Sequence, residues 1–128
     1  MRRVLLQESP EFKSLAKYSH EWLSTPVVPP ADLAGYLQGM KRCGYTIVAL
    51  EQTSSSVPLQ EFAFPEKVVV VLGAERTGVP AALLQTCVDV AVEIPQMGET
   101  RSLNVHVSGA LCLFEYTQQR LLREPSFH

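Results

Sequence analysis

The sequence predicts an α/β domain with a mostly parallel sheet and helices on both faces, and three observations carry that prediction. Three short runs rich in β-branched residues, 45–50, 68–72 and 88–94, are bounded by Gly, Pro or polar clusters and read as strands. The first two are almost continuously apolar, as expected of strands covered on both faces. Segments of helical period lie between and after these runs, and strands alternating with helices are how parallel sheets are connected.

Along the chain, Val4 to Leu6 has strand composition, and 11–23, with Phe12, Leu15, Tyr18 and Trp22, reads as a helix or an irregular connection. Residues 26–28 read as a short edge strand. After Pro29-Pro30, Leu33, Tyr36, Leu37 and Met40 follow the i, i+3, i+4, i+7 rule, which predicts a helix capped at its C-terminus by Gly44. Residues 53–58 form a Ser-rich surface loop. Pro80 suits the first turn of a short helix over 80–85. Strand 88–94 alternates more than the others, with Asp89 and Glu93 interposed. In the last helix, from about Asn104 to Arg123, the residues Val107, Ala110, Leu111, Phe114, Leu121 and Leu122 make one apolar stripe. That leaves Glu115, Gln118, Gln119 and Arg120 to face water. The stripe is longer than a small sheet needs, so it reads as core and also as a candidate dimer surface.

Residues 1–128 are of a size for one domain with a continuous core. A formal charge of −2 removes the strongly basic signature of many nucleic-acid binders while allowing a local basic patch. Cys43, Cys87 and Cys112 lie far apart, which gives neither a CxxC metal pair nor a disulfide framework and fits a reducing setting, cytoplasmic or nuclear. The run Val4-Leu5-Leu6 is too short for a signal-peptide core, and no run approaches the ~18 apolar residues of a membrane span. A soluble protein is expected.

Open α/β sheets bind ligands beyond the carboxyl ends of their strands. Here those ends are Leu50-Glu51-Gln52-Thr53, then Leu72-Gly73-Ala74-Glu75-Arg76-Thr77-Gly78, then Ile94-Pro95-Gln96-Met97-Gly98. Gly73 and Gly78 permit tight turns and close approach of backbone to a ligand. The second segment lacks GxGxxG and GxxxxGK[ST] and carries Glu75, so it favours a neutral or cationic ligand over a dinucleotide. No metal cluster is suggested.

Two of these segments resemble a known family. Val70 to Gly78 looks like the second motif of the SpoU family of RNA ribose 2′-O-methyltransferases, within the SPOUT superfamily, whose usual form is a strand followed by Gly-Asn-Glu-x-x-Gly. Ile94-Pro95-x-Met97-x-x-x-x-Ser102-Leu103-Asn104-Val105 looks like the third. Residues 45–53, 64–67 and 102–110 are similar to its eukaryotic tRNA guanosine branch, and the likeness extends over about 28–122. Ala74 replaces the usual Asn, and Arg76 a common Gly.

The resemblance implies a C-terminal trefoil knot, S-adenosylmethionine as methyl donor with S-adenosylhomocysteine as product, a homodimer through the last helix, and tRNA as acceptor at a D-loop guanosine ribose. It implies a cofactor wrapped by Leu72, Gly73, Ile94, Met97 and Leu103, to which the strand-end reading adds Leu50 and Thr53. Glu75, Ser102 and Asn104 match positions that serve catalysis and organise the site, and Glu75 and Ser102 also border the cofactor. Arg76 and Arg101 are candidates for RNA phosphate.

The chemistry agrees with these residue types, since a ribose hydroxyl is a weak nucleophile that needs alignment and partial deprotonation. Ser102 is also a candidate helix N-cap. His106 lies inside the helix and is left out of the catalytic set. The family's first motif, with an Asn and an Arg that act on the ribose, is not found in 1–29, which leads us to expect either a truncated product of a longer protein or an isolated form that binds cofactor without full activity. The rival reading is a non-catalytic module that kept the cofactor fold for RNA binding or dimerisation.

Overall fold

The structure, a computed structural model, describes residues 27–73, 77–95 and 105–123. The helices are α1 (Leu33–Arg42), α2 (Ala81–Thr86) and α3 (Val105–Arg123), and the strands are β1 (Thr46–Leu50), β2 (Val57–Pro58), β3 (Val68–Leu72) and β4 (Val90–Glu93). The strands form one sheet in the order β2-β4-β1-β3, with every pair parallel. This is the α/β arrangement that the sequence predicts. Two expectations, Val4 to Leu6 and 11–23, lie outside the described residues.

The edge strand differs from expectation. Val57–Pro58 pairs with β4 at Val92 and Glu93, whereas the described part of 26–28 contributes only an isolated bridge at Val27. Pro58 disguises the strand as loop because proline cannot donate to a ladder, a defect that an edge position tolerates.

Residues one apart on a strand point to opposite faces, and this parity sorts the core into two halves. On one face Ile47, Ala49 and Val69 pack with Leu37 and Met40 of α1, with Val79, with Leu83 of α2 and with Cys87. On the other, Val48, Val68 and Val92 pack with Leu59, Phe64 and Cys112 of α3. Both faces are covered, which is why β1 and β3 carry no polar alternation. Helix α1 stops where Gly44 takes a φ of +92°, with its N–H bonded to Lys41 O at 2.9 Å. At the amino edge of the sheet the Asp89 carboxylate accepts from Ile47 N at 2.7 Å, and Asp89 N donates to Ile47 O at 2.8 Å.

Helix α3 presents the side that its sequence pattern assigns to water. Cys112 is its buried residue, flanked by half-buried Glu115, Tyr116, Gln119 and Arg120, while Val107, Leu111, Phe114, Leu121 and Leu122 are exposed. The reason is what α3 lies against: the irregular segment 62–66, whose backbone groups require partners. Gln119 Nε2 donates to Phe62 O at 2.7 Å, and Gln119 Oε1 accepts from Phe64 N at 2.7 Å. Arg123 donates to Phe64 O at 2.7 Å, and Tyr116 Oη donates to Glu66 O at 2.8 Å. Edge-on contacts among Phe62, Phe64 and Tyr116 fill the space between.

Candidate functional site

Strand register brings three loop origins to one edge. Leu50 lies opposite Leu72 on one side and Val92 on the other, so β1, β3 and β4 end level, and Ile94 follows just beyond β4. Here the apolar residues are incompletely covered: Leu72 is 42% exposed, and Leu50 and Ile94 are half-buried against the second core. Gly109 of α3 closes on Leu72, where a Cβ would stand 3.2 Å from Leu72 Cδ1. The structure therefore brings together Leu50, Leu72, Gly73 and Ile94 of the expected site.

Gly73 serves the tight return of the chain, one of the two uses expected of it. A Cβ there would lie 2.3 Å from Gly78 C and 2.5 Å from Val79 N, so its missing side chain is required by the chain's own return, before any ligand arrives. Gly78 has a φ of +69°, the left-handed region that glycine enters without strain. Thr53 serves its own turn: its N–H donates to Ser56 Oγ at 3.1 Å and its hydroxyl accepts from Ser55 N at 3.3 Å. That hydroxyl retains its proton for a further acceptor.

Glu51 is the residue that the sequence reading passed over. Its Oε2 accepts from Val79 N at 2.7 Å, and its own N–H donates to Val92 O at 3.1 Å. Strand parity carries the signal. Glu51 follows Ile47 and Ala49 on the face that holds Val79, so a carboxylate there points toward that loop.

Glu75, Arg76, Met97, Arg101, Ser102, Leu103 and Asn104 lie outside the described residues. His106 is exposed on the first turn of α3. Among the described residues no three His, Cys, Asp or Glu side chains are grouped to hold a metal, and no helix is long and apolar enough to cross a membrane.

The profile of the SpoU rRNA methylase family matches residues 3–114. The chain belongs to the SpoU methylase family. The chain is 51% identical over 112 residues, 88% of its own length, to the tRNA (guanosine(18)-2′-O)-methyltransferase TARBP1 of Mus musculus. It is 34% identical over 119 residues, 92% of its length, to the tRNA (guanosine(18)-2′-O)-methyltransferase of Saccharomyces cerevisiae. The chain spans only 7% and 8% of these two relatives. A solved TrmH/SpoU tRNA modifying enzyme of A. aeolicus superposes with a TM-score of 0.75 at 29% identity, covering 87% of this chain and 55% of that one. The SpoU methylase fold thus accounts for the parallel sheet and for its level carboxyl edge.

Proposed function

We propose that this chain binds S-adenosylmethionine at the carboxyl edge of its sheet and transfers the methyl group to a ribose 2′-hydroxyl of RNA, at a tRNA D-loop guanosine. The observation that carries the reading is the 51% identity over 112 residues to a relative named for guanosine 2′-O-methylation. The edge chemistry fits such a ligand. Incompletely covered Leu50, Leu72 and Ile94 suit a flat, largely apolar group, and the carboxylate of Glu51 suits a cationic one better than a phosphate.

When bound, S-adenosylmethionine supplies an electrophilic methyl on a sulfonium and leaves as S-adenosylhomocysteine. The chain's own residues hold and align. Leu50, Leu72, Gly73 and Ile94 border the cofactor, joined by Thr53, Met97 and Leu103. Glu75, Ser102 and Asn104 organise the acceptor, whose hydroxyl proton passes to a base positioned beside it as the oxygen–methyl bond forms. Arg76 and Arg101 meet RNA phosphate. The proposal includes a C-terminal trefoil knot, supported by likeness to the solved tRNA modifying enzyme. It also includes a homodimer through α3, supported by Val107, Leu113, Phe114 and Leu122, which are 48%, 50%, 62% and 82% exposed. A one-domain organisation and a cytoplasmic or nuclear setting belong to the same reading.

The test pairs calorimetric titration with S-adenosylmethionine and transfer of labelled methyl to tRNA. Binding with transfer to a ribose supports the reading. Binding without transfer leaves a cofactor-fold module for RNA binding or dimerisation, and no binding ends the cofactor assignment.

A further inference from the structure

We infer that Glu51 is a positioning residue that holds the return of the chain at Gly78 and Val79 against the end of β1, so that one carboxylate sets the spacing between the β1 and β3 ends at the candidate cofactor edge. The inference rests on the cofactor reading above and adds a residue to it. The loop leaves β3 at Gly73 and returns at Gly78 and Val79, close enough that a Cβ on Gly73 would stand 2.3 Å from Gly78 C. Gly73 and Gly78 thus meet, and the return limb at Val79 is tied to β1 by the 2.7 Å bond from Val79 N to Glu51 Oε2. Glu51 is itself fixed by its 3.1 Å backbone bond to Val92 O of β4, so one residue joins the ends of β1 and β4 to the return at Val79.

Gly78 is fitted to this clamp. A Cβ on it would lie 2.5 Å from Glu51 Oε2 and 3.1 Å from Glu51 Cδ and Oε1, so the carboxylate lies along the surface that glycine leaves bare. Bonds from backbone N–H to an ionised carboxylate are stronger than those between neutral partners, which suits a tie between a strand and a loop. Glutamine offers the same acceptor without the charge, and that separates holding from electrostatic attraction.

The experiment measures two quantities on the 128-residue protein and on Glu51→Gln, Glu51→Ala, Gly78→Ala and the Glu51→Ala/Gly78→Ala double variant. One is hydrogen exchange at the Val79 amide, which needs no ligand. The other is calorimetric affinity for S-adenosylmethionine. Glu51→Ala should speed Val79 exchange and weaken cofactor affinity by about tenfold each, the scale of one lost hydrogen bond, while Glu51→Gln stays within about threefold of wild type. Gly78→Ala should loosen the same tie and also carries its own strain at a φ of +69°, so the double variant should lose less than the sum of the two single losses, and a full sum would count against a shared tie.

Wild-type affinity in Glu51→Ala, or unchanged Val79 exchange, would overturn the inference while leaving the cofactor reading intact. A Glu51→Gln variant that keeps Val79 protected yet loses affinity as far as Glu51→Ala would replace positioning by direct charge attraction. Failure of the wild-type protein to bind S-adenosylmethionine would remove the cofactor reading, and with it the claim that the loop is held for a ligand.

Discussion

Replacing Gln119 by alanine should cost the fold more than replacing any of the exposed leucines of α3. Its side-chain amide works as a detached piece of backbone, donating to Phe62 O and accepting from Phe64 N, both at 2.7 Å, and donating to Glu115 Oε1 at 3.0 Å. In Gln119→Ala the two backbone groups of segment 62–66 lose their protein partners, and an unmet buried group costs about 1–3 kcal/mol. The bonds are only part-buried, so water recovers some of this, and we expect a loss of about 2–3 kcal/mol. Leu122→Ser is the control: Leu122 is 82% exposed, and such a change should stay within about 0.5 kcal/mol. Urea unfolding reads both at a concentration where sedimentation shows monomer. With a slope of roughly 1–3 kcal/mol per molar, the midpoint of Gln119→Ala should fall by about 0.7–3 M. A Gln119→Ala midpoint equal to wild type, or a larger loss in Leu122→Ser, would refute the assignment of the polar side of α3 to the body of the protein.

Three further outcomes are expected. Gly73→Ala should lower thermal stability as well as cofactor affinity, because its Cβ meets Gly78 and Val79; a normal melting temperature with lost affinity would restore ligand approach as the reason for this glycine. Asp89→Ala should cost about 1–3 kcal/mol through the stranded Ile47 N–H, whereas Lys41→Met, which removes only the 3.2 Å surface pair to Asp89, should cost about 0–1 kcal/mol; equal losses in melts would contradict this. Burial pushes the Cys112 thiol from about 9 up to about 11, so the fold favours the protonated thiol. That contribution is complete below pH 9 and is lost as pH rises toward 11, so the stability difference between wild type and Cys112→Ala should shrink across this window; a flat difference would contradict the burial.

Strand parity and helix period were legible wherever one element met one core. The paired apolar runs that became β1 and β3, the α1 stripe of Leu37 and Met40, and the stop at Gly44 follow from local rules. What escaped depended on partners distant in sequence. Pro58 hides an edge strand because its role is defined by β4, and the burial of Gln119 is decided by a segment 55 residues away. The placement of Leu50, Leu72, Gly73 and Ile94 at one edge of the sheet was legible from the strand ends. Glu51 was missed because a single carboxylate after a strand looks like a solvated turn residue until the loop that it meets is known.

The two sides of α3 obey separate chemistries, and this makes attachment and association independently adjustable. Its inner side is fastened by directional bonds to Phe62, Phe64 and Glu66, together with the packing of Cys112 and Tyr116 against the second core. Its outer side, with Phe114, Leu121 and Leu122, can therefore change in size or polarity without loosening the helix from its seat. A lineage could retune, exchange or abolish what meets that outer side while the carboxyl edge of the sheet, and the strand register that builds it, stays as it is.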